Sequence, residues 1–232
     1  MAAGEVDEAN SGEASSGEAS SGEASSIESA IRRLCQAGVY GAAATRAIEA
    51  YGNEIRRFIA GRVRNEADAR DVFSMFCEDF WQGLPSFGWR CTLRGWAYTI
   101  ARHSELRHAG SPLRGREGGD TTLAEIDPSA RSRTRTPPYA RTEVKDRFRR
   151  IRGRLSEQDQ LILVLRVDRD LQWRDIVQIL AGPDVELPAA VIEREGARVR
   201  KRFQLIKDRL RQWAAEDGLL SADDADDAVD AS

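Results

Sequence analysis

Between residues 66 and 103 the chain reads EADARDVFSMFCEDFWQGLPSFGWRCTLRGWAYTIARH. This stretch limits the possible folds more than any other. Val72, Met75, Phe76, Phe80 and Leu84 recur by threes and fours, as the buried face of an amphipathic helix requires. Phe73, Cys77 and Trp81 add a second apolar stripe, so the helix is either buried on two sides or keeps one side for a partner. Asn65 is placed to cap it, with Glu66 and Asp68 in the first turn where the helix dipole favours acids. Gly83, Pro85, Ser86 and Gly88 end it. After a loop holding Trp89, Arg90 and Cys91, Thr92 caps a second helix with Leu93, Trp96, Ala97 and Ile100 inward. Arg94, Tyr98, Thr99, Arg102 and His103 then fall outward. Basic groups interleaved with aromatics suit unstacked nucleic-acid bases, with rings on bases and guanidinium on phosphate.

The rest of the chain also has helical period. Ile27, Ala30, Ile31 and Leu34 share a face, and so do Ile48, Tyr51, Ile55, Phe58, Ile59 and Val63, with Arg56, Arg57, Arg62 and Arg64 on the wet side. Further on, Val144, Phe148, Ile151 and Leu155 form a stripe, and Ser156 with Asp159 makes a variant capping box. Leu161, Ile162, Val164 and Leu165 follow. A short amphipathic helix holds Trp173, Ile176, Val177 and Leu180, and Gly182 and Pro183 stop it. The last stripe is Val199, Phe203, Ile206, Leu210 and Trp213. The face opposite carries Arg198, Arg200, Lys201, Lys207 and Arg211. A short helix, a turn and a strongly basic helix make the helix-turn-helix pattern, here with an expanded turn over residues 181–197.

These patterns predict an all-α protein with two small helical domains, at 27–108 and 142–214. The flexible linker 109–141 is rich in Gly, Pro, Ser, Thr and Arg, and a structureless loop that long is anomalous inside one domain. Residues 1–26, with SGEAS three times in succession, are expected to be a disordered acidic repeat tail. Residues 215–232 are a second such tail.

The net charge of −3 hides a strong asymmetry. Residues 1–29 and 215–232 carry seven acids each and no base, leaving 24 acids against all 35 Lys and Arg. Residues 30–214 are therefore +11, the electrostatic footprint of a polyanion binder. The three cysteines lack zinc-site spacing and their odd number argues against a disulfide framework. No catalytic base–nucleophile pair and no Walker-type phosphate loop can be found. Ligation of a metal by His103, His108 and Cys91 is outweighed by a surface role. No enzyme activity, cofactor or metal is expected. With no membrane span and no signal peptide, the expected location is cytoplasmic.

Residues 67–81 (ADARDVFSMFCEDFW), 93–103 (LRGWAYTIARH) and 198–210 (RVRKRFQLIKDRL) resemble, in order and separation, the sigma factors of bacterial RNA polymerase. The likeness is to the small two-domain, extracytoplasmic-function branch of the sigma-70 family. It spans roughly 40–108 and 142–214. It implies a non-enzymatic transcription initiation factor that binds core RNA polymerase and directs it to promoters. Asp71, Ser74, Met75, Cys77 and Trp81 occupy the polymerase-binding positions. Trp89, Arg90, Arg94, Tyr98, Arg102 and His103 occupy those that open and read the minus-ten element as single-stranded DNA. Arg198, Arg200, Lys201 and Arg202 occupy those that read the minus-thirty-five duplex. An anti-sigma factor is a further partner of many relatives. Ser74 and Met75 stand where the family has Gln-Glu, which motivates an alternative: a helix-turn-helix regulator that no longer binds polymerase.

Overall fold

The computed structural model describes residues 15–63, 65–111, 138–183 and 185–219. Side chains are described from residue 25, and again from residue 145 after the gap. Every regular element among the described residues is helical. Helix α1 runs Ser15–Gln36, α2 Tyr40–Ala60, α3 Glu66–Gly83 and α4 Leu93–Ala109. Then come α5 Pro138–Gly153, α6 Glu157–Leu163 with a π-turn Val164–Asp168, α7 Trp173–Ala181 and α8 Ala189–Glu216. No described helix is long and apolar enough to cross a membrane.

The caps act as their sequences dictate. Asn65 Oδ1 accepts from the Asp68 N–H at 2.8 Å and starts α3. Thr92 Oγ1 accepts from the Gly95 N–H at 2.9 Å and starts α4. Ser156 Oγ accepts from the Asp159 N–H at 3.2 Å and donates to Asp159 Oδ2 at 2.8 Å. The Asp159 carboxylate therefore accepts the hydroxyl's hydrogen bond, where Glu in a standard capping box reaches back to the cap's own N–H. Helix α7 stops because Gly182 adopts φ +104°, a conformation that L side chains rarely reach.

Helices α2, α3 and α4 pack on one another around Ile55, Phe58, Val72, Phe76, Phe80, Leu93 and Tyr98. Each such buried side chain contributes about 1.5–3 kcal/mol relative to exposure. Rings order this core: Phe58 meets Tyr98 edge-on at 4.9 Å, Phe80 lies 4.8 Å from Trp96, and Phe87 stacks on Trp96 at 4.6 Å. The core does not stop at α4. Leu161, Val164, Leu165, Leu171, Ile176 and Ile179 belong to the same cluster. Helix α7 lies between α4 and α8 and packs on both. A smaller cluster of Leu155, Ile162, Leu163, Phe203 and Ile206 seats α8.

Several local expectations change. Helix α1 begins at Ser15, inside the repeat expected to be a disordered tail, because Ala and Glu propagate a helix that Ile27 and Ile31 anchor downstream. Helix α8 begins at Ala189, so the turn expected over 181–197 shrinks, and Glu193 and Glu195 lie on the helix itself. Helix α5 starts at Pro138 and not near residue 142, since proline suits the first turn of a helix. Of its stripe, Ile151 and Leu155 are buried but Phe148 is exposed, and the Val144 side chain lies outside the described residues. Arg62 is not on the wet face: its side chain is 8% exposed and pairs with Glu105 at 2.9 Å. Arg64, residues 112–137 of the expected linker, and most of the two acidic tails lie outside the described residues.

Candidate nucleic-acid interface

On α3 the period of 3.6 sets Asp71, Ser74, Met75 and Trp81 on the arc opposite Val72, Phe76 and Phe80. Asp71 and Ser74 are exposed, Met75 is half-buried, and Trp81 is 55% exposed, large for an indole. Met75 therefore leaves the expected core stripe. Cys77 sits at the edge of the arc, half-buried against the core beside Phe73. Burial pushes its thiol up from the ordinary value, as an inert packing cysteine requires.

Next comes the aromatic loop. Trp89 has φ 55°, unusual for a bulky residue, and its ring lies 4.9 Å from Phe87 with the Arg32 guanidinium 5.2 Å above it. Arg90 is exposed and forms an ion pair with Glu186. Cys91 is half-buried, and burial together with Asp175 pushes its thiol up to about 12.

Helix α4 departs most from the sequence reading. Tyr98 and Thr99 were expected outward, but they are 0% and 1% exposed. Tyr98 Oη donates to Glu54 Oε1 at 2.7 Å, and burial followed by the Glu54 charge drives its ionisation far up. Arg94 forms an ion pair with Glu54, and its Nη2 donates to the Arg169 carbonyl at 2.8 Å. Burial works against its charge, but the hydrogen bonds of Glu54 outweigh that and raise its basicity. Arg94 N–H meets Glu28 Oε1 at 3.0 Å. Desolvation raises the Glu28 carboxyl. The physical reason for this inversion is packing from other elements: Glu54 and Phe58 of α2 and the Arg169 carbonyl take Arg94 and Tyr98 inward, and Asp175 of α7 meets Thr92 and Gly95 beside them. Arg102 is held inward too, its side chain 17% exposed near Glu105, with burial and Arg62 both lowering its basicity.

The basic helix divides in the same way. Arg200 and Lys201 are exposed. Arg198 pairs with Glu195 at 2.7 Å. Arg202 instead reaches down to Asp159, Nε to Oδ1 2.5 Å, and to Gln158 at 3.0 Å. Asp159 is 5% exposed. Burial pushes its carboxyl up, but the bonds from Arg202 and Ser156 outweigh that and hold it below the usual aspartate range. Arg202 is thus an anchor of α8, in contrast to its expected place beside Arg200 and Lys201. Arg102, His103 and Arg202, expected on two different DNA surfaces, line one cavity of about 720 Å³ with Leu106 and Ile179.

Three acids that shape these surfaces, Glu54, Asp159 and Asp175, were not among the sequence candidates. Asp175 had a visible signal: an acid one residue before the apolar run of α7. Thr92 Oγ1 donates to Asp175 Oδ2 at 2.8 Å, and the Thr92 N–H lies 3.4 Å from Oδ1. Among the described residues no group of three His, Cys, Asp or Glu could hold a metal.

Residues 47–111 match the family model for sigma-70 region 2. No curated protein matches the chain. A solved structure described as CnrH in complex with the cytosolic domain of CnrY is similar at 15% identity, covering 78% of this chain and 97% of that chain with a TM-score of 0.47.

Proposed function

We propose that the chain, whose residues 47–111 match the family model for sigma-70 region 2, is a sigma-70 family factor that binds core RNA polymerase and directs it to particular promoters. It acts in transcription initiation, and the polymerase supplies the chemistry. It works as an extracytoplasmic-function type of factor, in the cytoplasm where the polymerase is. Polymerase docks on the outer arc of α3: Asp71, Ser74, Met75 and Trp81, flanked by Cys77. The loop and helix from Trp89 to His103 open and hold the minus-ten element, with Trp89 and Arg90 as first contacts and Arg94, Tyr98, Arg102 and His103 behind them. Helix α8 reads the minus-thirty-five duplex through Arg198, Arg200 and Lys201. Arg202 steadies that helix from beneath. An anti-sigma factor is a further partner in this reading.

The observation that carries the reading is the coincidence of the region 2 match with α2–α4, whose α3 leaves Trp81 and an acid–serine row uncovered. Large exposed aromatics of this kind anchor protein interfaces. The test is a pull-down of core RNA polymerase by the full chain, wild type and Trp81→Ala. A complex that weakens at least about tenfold in the variant supports the reading. No wild-type complex at micromolar protein would sink it. That outcome would favour the second reading, a helix-turn-helix regulator without polymerase, which Ser74 and Met75 on the α3 arc motivate.

A further inference from the structure

Four residues of the C-terminal half converge on residues 90–95. Arg174 Nη2 donates to the Arg90 carbonyl at 2.7 Å, Glu186 pairs with the Arg90 guanidinium, and the Arg169 carbonyl accepts from Arg94. The fourth is Asp175, 4% exposed, whose carboxylate is seated at the N-terminus of the 17-residue α4. The seat is shaped for it: a Cβ on Gly95 would lie 2.6 Å from Asp175 Cγ. Gly95 is therefore required by the approach of the carboxylate, and Thr92 supplies the hydroxyl that meets it.

Helix N-termini, threonine hydroxyls and exposed arginines are the groups that proteins use to grip phosphate. Here those groups, at Thr92 and Arg90, are already occupied by carboxylates from the same chain. We infer that Asp175 and Glu186 act as built-in phosphate surrogates, keeping the single-strand surface of residues 89–103 closed until DNA phosphates replace them as the two halves separate. The inference rests on the DNA role proposed above for this surface. Leu171, Ile176 and Ile179, all buried in the core shared with α4, make the closed state a packed one and not a loose contact.

Asp175→Asn and Gly95→Ala open the latch from its two sides. The first removes the charge at nearly constant size. The second drives a methyl into the seat while improving the helix propensity of α4. Two readouts are made on the full chain: the radius of gyration by small-angle X-ray scattering, and anisotropy of a fluorescein-labelled mixed-sequence 12-nucleotide single strand. Wild type is expected to be compact with weak binding. Both variants are expected to expand and to bind the strand about tenfold tighter, within the usual range of coupled sites. Expansion without tighter binding overturns the surrogate role, and so does an unchanged radius with unchanged affinity. If circular dichroism finds either variant unfolded, Glu186→Gln decides, because that side chain is exposed and its loss leaves the Thr92 seat intact. It should bind the strand more tightly than wild type, and unchanged affinity overturns the proposal. Neither readout involves polymerase, so a failed pull-down refutes the initiation role alone.

Discussion

Arg202→Ala separates a residue that reads DNA from one that holds α8, the helix proposed to read it, in place. The Asp159 carboxylate is 5% exposed and Arg202 Nε lies 2.5 Å from it. Breaking a fully buried pair costs about 3–5 kcal/mol, and an exposed pair contributes about 0–1 kcal/mol. This pair is mixed: the Arg202 side chain is 42% exposed, and Asp159 keeps the Ser156 hydroxyl. The loss is therefore about 2 kcal/mol. With a urea slope of about 2 kcal/mol/M for a chain of this size, the unfolding midpoint should fall by about 1 M, followed by tryptophan fluorescence. The pH dependence gives a second check. The Asp159 carboxyl is held below its ordinary value in the fold. Its contribution is thus complete above the unfolded pKa, about 3.9, and is lost as pH falls through the lower folded value. In Arg202→Ala that part of the acid loss should vanish. A variant with the wild-type midpoint and a duplex-DNA salt slope reduced by one would refute the reasoning, since Arg202 would then be a phosphate contact.

Arg200→Ala with Lys201→Ala should leave stability within about 0.5 kcal/mol, both residues being exposed. It should lower the salt slope of duplex binding by up to about two, and an unchanged slope would remove this face from the interface. Tyr98→Phe should cost about 1.5–2 kcal/mol in thermal unfolding, because the hydroxyl bonds a charged Glu54; wild-type stability with impaired promoter opening would instead make Tyr98 a DNA contact of an opened form. Arg62→Ala should destabilise by about 3 kcal/mol in urea, as Glu105, with its side chain 14% exposed, loses a 2.9 Å partner. A change under 1 kcal/mol there would show that water re-solvates Glu105.

The helices were legible wherever local chemistry decides. Asn65, Thr92 and Ser156 cap as their residue types require, and the stripes Ile55–Phe58–Ile59 and Phe76–Phe80 are buried as their period demands. The α3 arc was legible only in part: the period left one side open for a partner, but it put Met75 in the core stripe, where the structure has it half-buried. What could not be read was pairing between residues far apart. Arg62 looks like one more arginine on a wet face until Glu105, 43 residues on, takes it inward. Arg202 shares a basic run with Arg200 and Lys201, and only Asp159 on α6 distinguishes it. In each case the deciding carboxylate lies on another element, and single-helix periodicity carries no information about it.

Helix α4 is the strongest instance, and it bears on how the chain would work. Its outward arc of Arg94, Tyr98 and Thr99 is polar enough to face water, yet Glu54 and Phe58 of α2 and the Arg169 carbonyl hold Arg94 and Tyr98 inward, and the C-terminal half joins the same core through Leu171, Ile176 and Ile179. Exposing those three side chains costs on the order of 5 kcal/mol. Rehydration of Asp175, whose carboxyl burial raises above its ordinary value, offsets part of that. A population of open chain set by a few kcal/mol is small, on the order of 1% or less. Single-stranded DNA alone gains little at that population, because its apparent affinity is reduced by the same fraction. The missing free energy has to come from a partner that prefers the open form. Polymerase bound to the uncovered α3 arc could supply it only if it also engages the separated C-terminal half, since α3 presents the same face in both forms. Promoter opening should therefore depend on the two halves being joined in one chain more steeply than polymerase binding does.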